Sequence, residues 1–521
     1  MRNRVGKILM VTILLAVAVP LSAYSADEEL LRRIDALSQE LNALKQQVKE
    51  SDAKLQQTVD KSKETEQKVA KVERNSLGKW LTIGGDYRFR YDYLHAKSAP
   101  FYQFNPSDPM NPGNVPGQTL SNNALYTNRF GLNLHAQATQ DVSVTARLLM
   151  YKIAGAQDDR AVSSGGFFAD RSGLFDGTIG HVPGDNKLAV DQVYATWKNI
   201  ADQPIWFSIG RRPSTGGAPS HLHQNTEKPG NSGVPSLLVD YAFDGVTLGW
   251  APDIAGLEGA YAKFCYGRGY QDSINSDAFP NSLHNTDMLG VNIVPYDTDL
   301  LKAEFQYNRG MNIFNAPIIV SGDNAGTLFG TPSTNLGDID WYGLNFLGTV
   351  KKIGIGNLNW FVSGALSHTH PNNNTALPGM PIGLMYSGNK ESKTGMAVYV
   401  GTRYDIEKTG TKLGFEYNHG SKDWITFAPA ADDMWTSKVG TRGNVYEAYI
   451  IQELKLKPIS SYLSKTFFRI GYQYYDFDYT GSNNWVGGPV SMDNLGNPMN
   501  AQLLTPLKNA QDLYATFEVH F

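Results

Sequence analysis

Charged side chains recur at every second position along otherwise apolar stretches of this chain, and any chemistry it performs must start from them. Asp86, Arg88, Arg90 and Asp92 alternate with Tyr87, Phe89, Tyr91 and Tyr93. Lys302, Glu304, Gln306 and Asn308 alternate with Leu301, Ala303, Phe305 and Tyr307. Glu416 alternates with Phe415 and Tyr417, and Arg469 with Phe468 and Ile470. Extended backbone sends successive side chains to opposite faces, so each segment carries one apolar and one charged face. Arg88, Arg90, Arg129, Arg147, Lys302, Arg403 and Arg469 against Asp86, Asp92, Glu304, Glu416 and Glu518 leave the charged face slightly basic. Facing a water-filled passage, such residues would set a weak anion preference; otherwise they are merely solvated charges.

Other chemistries find little support. His221/His223 and His368/His370 are spaced two apart, so each pair could share a strand face, but no carboxylate or cysteine pattern completes a zinc motif. Cys265 is the single cysteine, which excludes an intrachain disulfide and a c-type haem attachment motif; it reads as a small packing residue. Gly267-Arg268-Gly269 lacks the strand–loop–helix context of a phosphate loop. No local nucleophile–base motif is present. The expectation is a non-enzymatic protein without cofactor or metal.

The elements that must position these charges are strands. Sixteen alternating segments are readable: 79–93, 125–138, 142–152, 188–199, 204–211, 237–250, 257–267, 284–294, 300–310, 339–350, 357–369, 394–405, 411–420, 444–455, 465–476 and 512–521. Long and short links alternate strictly between them. One step needs an assumption: the apolar phase changes from Val239, Tyr241 and Phe243 to Val246, Leu248 and Trp250, and Asp244-Gly245 is taken as a bulge within one strand rather than a hairpin turn. The count is then about sixteen, with 14–18 as the range. Short turns at one end and long loops at the other suit a transmembrane barrel, and a sandwich has no reason for that asymmetry. Residues 79–521 form this domain. Its last strand ends on Phe517, Val519 and Phe521 with no charged tail.

The chain has 521 residues, 27 tyrosines, 51 glycines and a formal net charge of −4, with no basic footprint for nucleic acid. Residues 1–25 have the form of a secretory signal: Arg2, Arg4 and Lys7, then an apolar run to Val19, then Ala23-Tyr24-Ser25. Residues 27–76 carry a heptad pattern with Leu30, Ile34, Leu37, Leu41, Leu44, Val48 and Leu55 at the strong core positions, and become polar at Thr58, Ser62 and Thr65. A lone helix cannot bury that stripe, so a self-associating α-helical coiled coil is implied. No later segment is apolar enough for a membrane helix.

Together these features resemble Gram-negative outer-membrane porins with an N-terminal periplasmic coiled coil, and look like the porin-like proteins of metal-reducing bacteria. The resemblance implies an all-β transmembrane barrel in the outer membrane, folded by the barrel-assembly machinery through the terminal Phe521, and a homotrimer. It implies passive diffusion of small hydrophilic solutes; the alternative is the barrel of a porin–cytochrome conduit with a multihaem cytochrome partner. A third reading is an envelope tether acting through residues 27–76. In general porins the third loop folds into the lumen, and Arg211 and Arg212 stand where that loop begins here.

Overall fold

A computed structural model describes residues 80–521 apart from 105–107, 109, 156–182, 184–185, 214–221, 226–236, 273–282, 316–333, 377–378, 429–431 and 458–463. The expected signal segment (1–25) and coiled coil (27–76) lie outside the described residues.

Sixteen strands form one closed antiparallel barrel. In chain order they are β1 Leu81–Ser98, β2 Thr119–Gln137, β3 Val142–Ile153, β4 Ala189–Trp197, β5 Ile205–Pro213, β6 Ala242–Trp250, β7 Tyr261–Tyr270 and β8 Thr286–Asp297. The second half comprises β9 Lys302–Phe314, β10 Asn335–Ile353, β11 Gly356–Pro371, β12 Thr394–Ile406, β13 Thr411–Gly420, β14 Gly443–Leu454, β15 Lys465–Phe477 and β16 Leu507–His520. Each pairs with its sequence neighbours, and β1 pairs with β16 in a register running from Asp86–His520 to Ser98–Leu507. Closure leaves no strand at the edge of the sheet. The last residue joins this seam: the Gly85 N–H donates to the Phe521 carbonyl at 2.8 Å and the Phe521 N–H returns to Gly85 at 3.0 Å. The links alternate in length as the sequence implies, with two residues between β10 and β11 and 29, residues 478–506, between β15 and β16.

Alternation along the strands divides the wall into two surfaces. Ile83, Phe89, Leu248, Phe264, Leu344, Val362, Leu413, Ile450, Ile470 and Leu513 are exposed on the outside. Trp197 and Trp250 stand near the short-link end of that surface, and Tyr417 and Tyr446, with rings 5.1 Å apart, near the long-link end. Arg88, Arg90, Glu304, Asn308, Arg403, Glu416, Arg469 and Asp512 are buried on the inside.

Two sequence expectations are corrected. No bulge occurs at Asp244-Gly245: β6 keeps an unbroken register with β5 and β7 through both residues. The strand begins at Ala242, and residues 237–241 belong to the preceding link, where Val239 bridges Phe427. Phe243 points inward and Val246 outward on one uninterrupted alternation, so the phase never flips. The apolar-outside rule also fails at the long-link end of β9 and β10. There Ile313, Leu336, Ile339 and Trp341, none more than 1 % exposed, join a hydrophobic cluster with Leu238, Trp424, Ile425 and Phe427 from the links.

Candidate functional site

The chemistry of this barrel sits inside it, where two long links fold back against the wall. The link 421–442 carries Trp424, Ile425, Phe427, Met434, Trp435, Lys438 and Arg442, all buried. Its apolar residues would be costly in solvent, and the indole N–H groups are satisfied within the fold: Trp424 donates to the Val439 carbonyl at 2.7 Å and Trp435 to Gln511 at 2.9 Å. The β10 indole of Trp341 donates to the Ile425 carbonyl at 2.8 Å. Backbone bonds between Phe427 and Leu238, and between Asp240 and Phe427, tie this link to the one before β6.

Charged groups complete the seat. Asp432 accepts from Arg88 at 2.6 Å and lies 3.5 Å from Arg129. Burial works to raise its carboxyl, but the two guanidiniums outweigh that and hold it well below the usual carboxylate range. The Lys438 ammonium lies 2.7 Å from Glu416 and 2.5 Å from Glu447. Burial would strip its proton, and the two carboxylates keep the ammonium charged. Tyr399 and Tyr449 donate to Glu416 and Tyr514 to Glu447, so the acids that receive Lys438 are fixed by strands β12, β14 and β16. Asp433 accepts from the Lys438 backbone N–H and from Gln473, and burial pushes its carboxyl up to about 6.

The link before β6 enters at residues 222–225. Arg403 donates to the Leu222 carbonyl at 2.7 Å, Arg469 donates to the His223 carbonyl, and Lys412 donates to the Asn225 side chain at 2.7 Å. His223, Glu416 and Glu447 bring ligand atoms within 4.8 Å of one another, a geometry that could hold a cation. Lys438 already supplies one there. Burial, followed by the charge of Lys438, keeps His223 neutral.

Ten of the eleven candidate lining residues occupy the inner face. Arg88, Arg90, Arg129, Arg147, Arg212, Lys302, Glu304, Arg403, Glu416 and Arg469 share it with buried neighbours. Arg211 does not. It is opposite the exposed Val193 and Asp244 and lies 3.4 Å from the Asp244 carboxylate, on the outer face. Adjacent strand residues cannot both point inward, and Arg212, opposite the buried Phe243, takes the inner position. Arg88, Arg90, Arg403, Glu416 and Arg469 are each 2 % exposed or less, under the links. Arg129 and Arg147 keep 18 and 21 % of their side chains exposed, and both pair with Asp86. Lys302 and Glu304 lie deeper: Lys302 bonds to Tyr261 at 3.1 Å, and Glu304 accepts from Asn292 at 2.7 Å. Phe517 packs outside on Phe468 with rings 5.0 Å apart, and Val519 faces Tyr87 across the seam. His368 and His370 do share one face, with rings 4.7 Å apart, and His370 bonds to Asp340 at 2.7 Å.

Asp432, Asp433, Lys438 and Arg442 escaped the sequence reading. A signal was available: a link carrying two tryptophans, Ile425, Phe427 and Met434 is too apolar to lie in water.

Solved structures of similar shape are outer-membrane proteins. The chain is similar to Pseudomonas putida OprB at 10 % identity, with 85 % of this chain and 94 % of that one covered and a TM-score of 0.40. It is similar to an anion-selective porin from Comamonas acidovorans at 9 % identity, with 85 % and 99 % covered and a TM-score of 0.39. It is similar to Salmonella typhi OmpF at 9 % identity, with 84 % and 97 % covered and a TM-score of 0.40. No curated protein sequence matches. A family model described as "Protein of unknown function (DUF3373)" matches residues 119–521, from β2 through the closing strand, and the chain belongs to that family.

Proposed function

We propose that this protein is an outer-membrane channel for passive diffusion of small hydrophilic solutes, narrowed by residues 222–225, 237–241, 421–428 and 432–442. The observation that carries the reading is the contrast between the two surfaces of the closed wall. Outside, side chains such as Phe89, Leu248, Leu344, Val362, Ile450 and Ile470 form an apolar band suited to acyl chains, and the inside is lined with charge. A sixteen-stranded wall encloses enough space for an aqueous channel. Among the described lining residues, Arg129 and Arg147 on β2 and β3 keep 18 and 21 % of their side chains exposed. Those guanidiniums support a weak anion preference. The long links face the exterior, the expected periplasmic coiled coil of residues 27–76 joins a homotrimer, and Phe521 is read by the barrel-assembly machinery.

The conduit reading is weaker, because a barrel that sheathes a multihaem cytochrome needs an empty lumen and this one holds Trp424, Phe427 and Lys438 against its wall. The test is conductance of purified protein in planar bilayers, with reversal potentials in a salt gradient. Small, discrete steps with a reversal potential on the anion side are expected. A fully folded barrel that never conducts overturns the channel reading, and a cation-side reversal overturns the charge assignment.

A further inference from the structure

The long-link end of the barrel holds a cavity of about 240 Å³ between the links 421–442 and 478–506. Trp435, Phe477, Val486, Met492, Leu504 and Pro506 give it an apolar wall. Arg442 stands at its edge and is 1 % exposed. Its guanidinium donates to three backbone carbonyls, of Trp424 at 2.9 Å, Thr480 at 3.0 Å and Asn484 at 2.9 Å, and to the Met385 sulfur at 3.1 Å. A guanidinium has five N–H donors, so one, on Nη1, is left over. No carboxylate among the described residues approaches within ion-pair distance of it, and Asp423 acts only from farther away. A buried cation without a counter-charge is costly, and burial lowers this one to about 10. Gly481 lies against the same edge, at φ +68°, where a Cβ would come 3.0 Å from Nη1. The Ser482 hydroxyl, which accepts from the Arg442 backbone N–H, still has its own proton to donate.

We propose that this cavity binds a small organic monoanion, a carboxylate on a compact apolar or aromatic body, with the carboxylate on Arg442 Nη1 and Ser482 and the body against Trp435, Phe477 and Leu504. The apolar wall disfavours a bare inorganic anion, which would lose its hydration for a single cation. The volume lies below the ~300–1,000 Å³ of drug-sized ligand sites, so the body is about the size of one ring. The test reads binding in micelles whether or not the barrel conducts.

The experiment is calorimetric titration of the full chain in detergent with sodium benzoate, benzyl alcohol and sodium sulfate, each corrected for empty micelles. Saturable heat is expected for benzoate, on the order of tenfold weaker binding for benzyl alcohol because the charge-assisted bond is lost, and none for sulfate. Leu504→Trp, which fills the cavity and leaves Arg442 untouched, removes benzoate binding; Arg442→Lys, which keeps the charge but not the fork, weakens it by a similar factor. Absence of saturable heat with benzoate, equal binding of benzyl alcohol, or unchanged binding in Leu504→Trp overturns the proposal. Should Arg442→Lys fail to fold, Leu504→Trp and the neutral probe decide it.

Discussion

At the scale of single residues, the lumen is organised by charges that the wall and a link hold in common. Asp432 is the clearest case, since Arg88 and Arg129 on β1 and β2 both reach it across 344 and 303 residues of sequence. Replacing it with Asn leaves Arg88 buried with its nearest counter-charge gone, and breaking a buried pair from one side costs about 3–5 kcal/mol. The link should loosen from its seat, so Asp432→Asn is expected to raise single-channel conductance and flicker in bilayer recordings. The double variant Arg88→Gln/Asp432→Asn should flicker less than the single one, because removing both partners leaves no orphaned charge; equal traces from all three proteins would refute the seat. Asp433 behaves oppositely. Its folded carboxyl titrates near 6, above the ordinary value of 3.8. A raised carboxyl contributes stability that is present below the unfolded value and is lost as pH rises through the folded one. Wild type therefore bears the cost of an ionised Asp433 above about pH 6, whereas Asp433→Asn does not. The variant should resist thermal unfolding better at pH 7.5, by roughly 3 kcal/mol, and match wild type at pH 4. A variant less stable at pH 7.5 would mean that the bonds from Lys438 and Gln473 outweigh the ionisation cost.

At the scale of elements, what decides the barrel is the seam between first and last strand. Gly85 meets Phe521 there. A Cβ on Gly85 would come 2.3 Å from the Gly131 carbonyl and 2.8 Å from the Phe521 ring, one obstacle being backbone of β2. Gly85→Ala should therefore impair closure, which is measurable as a smaller heat-modifiable folded band after refolding into vesicles; a normal yield would show that the seam can shift to admit a methyl group. This seam was partly legible in the sequence, because Leu513, Ala515, Phe517 and Val519 alternate with Asp512, Tyr514, Thr516 and Glu518 as in the other wall strands. The sixteen strands were legible for the same reason: charges such as Arg90 and Glu304 alternate with aromatics, and link lengths alternate with them. What stayed hidden was long-range. Ile339 and Trp341 look like any outward apolar pair in sequence, and only the return of Ile425 and Phe427 into the lumen makes an inward position dry. The same return explains why Val239 and Tyr241 resembled a strand of the wrong phase. They are apolar because they sit in a link that packs with 421–442, where Val239 bridges Phe427, and they take no part in the barrel ladder. Arg211 was misplaced beside Arg212 because a pair of adjacent charges does not say which one faces inward.

At the scale of the whole molecule, the proposed channel requires one surface to lie in hydrocarbon and the other not to. Ile470 tests this division cleanly. It is 58 % exposed on the outer face of β15, between Phe468 and Tyr472 and opposite Ile450 and Ala515. No described charge waits there to receive a partner. Arginine at a mid-membrane, lipid-facing position of a barrel costs ~2–4 kcal/mol, whereas on the surface of a water-soluble protein the same change is usually worth less than about 0.5 kcal/mol. Ile470→Arg should consequently lower the denaturant midpoint for unfolding from vesicles while leaving conductance of the folded fraction unchanged, since the inner wall is untouched. Ile470→Leu, which keeps the apolar surface, should behave as wild type. The two possible environments of the outer face make opposite predictions for the arginine variant. If Ile470→Arg unfolds at the wild-type midpoint in vesicles, that face does not meet lipid, and the inner charges cannot then be assigned to a transmembrane passage.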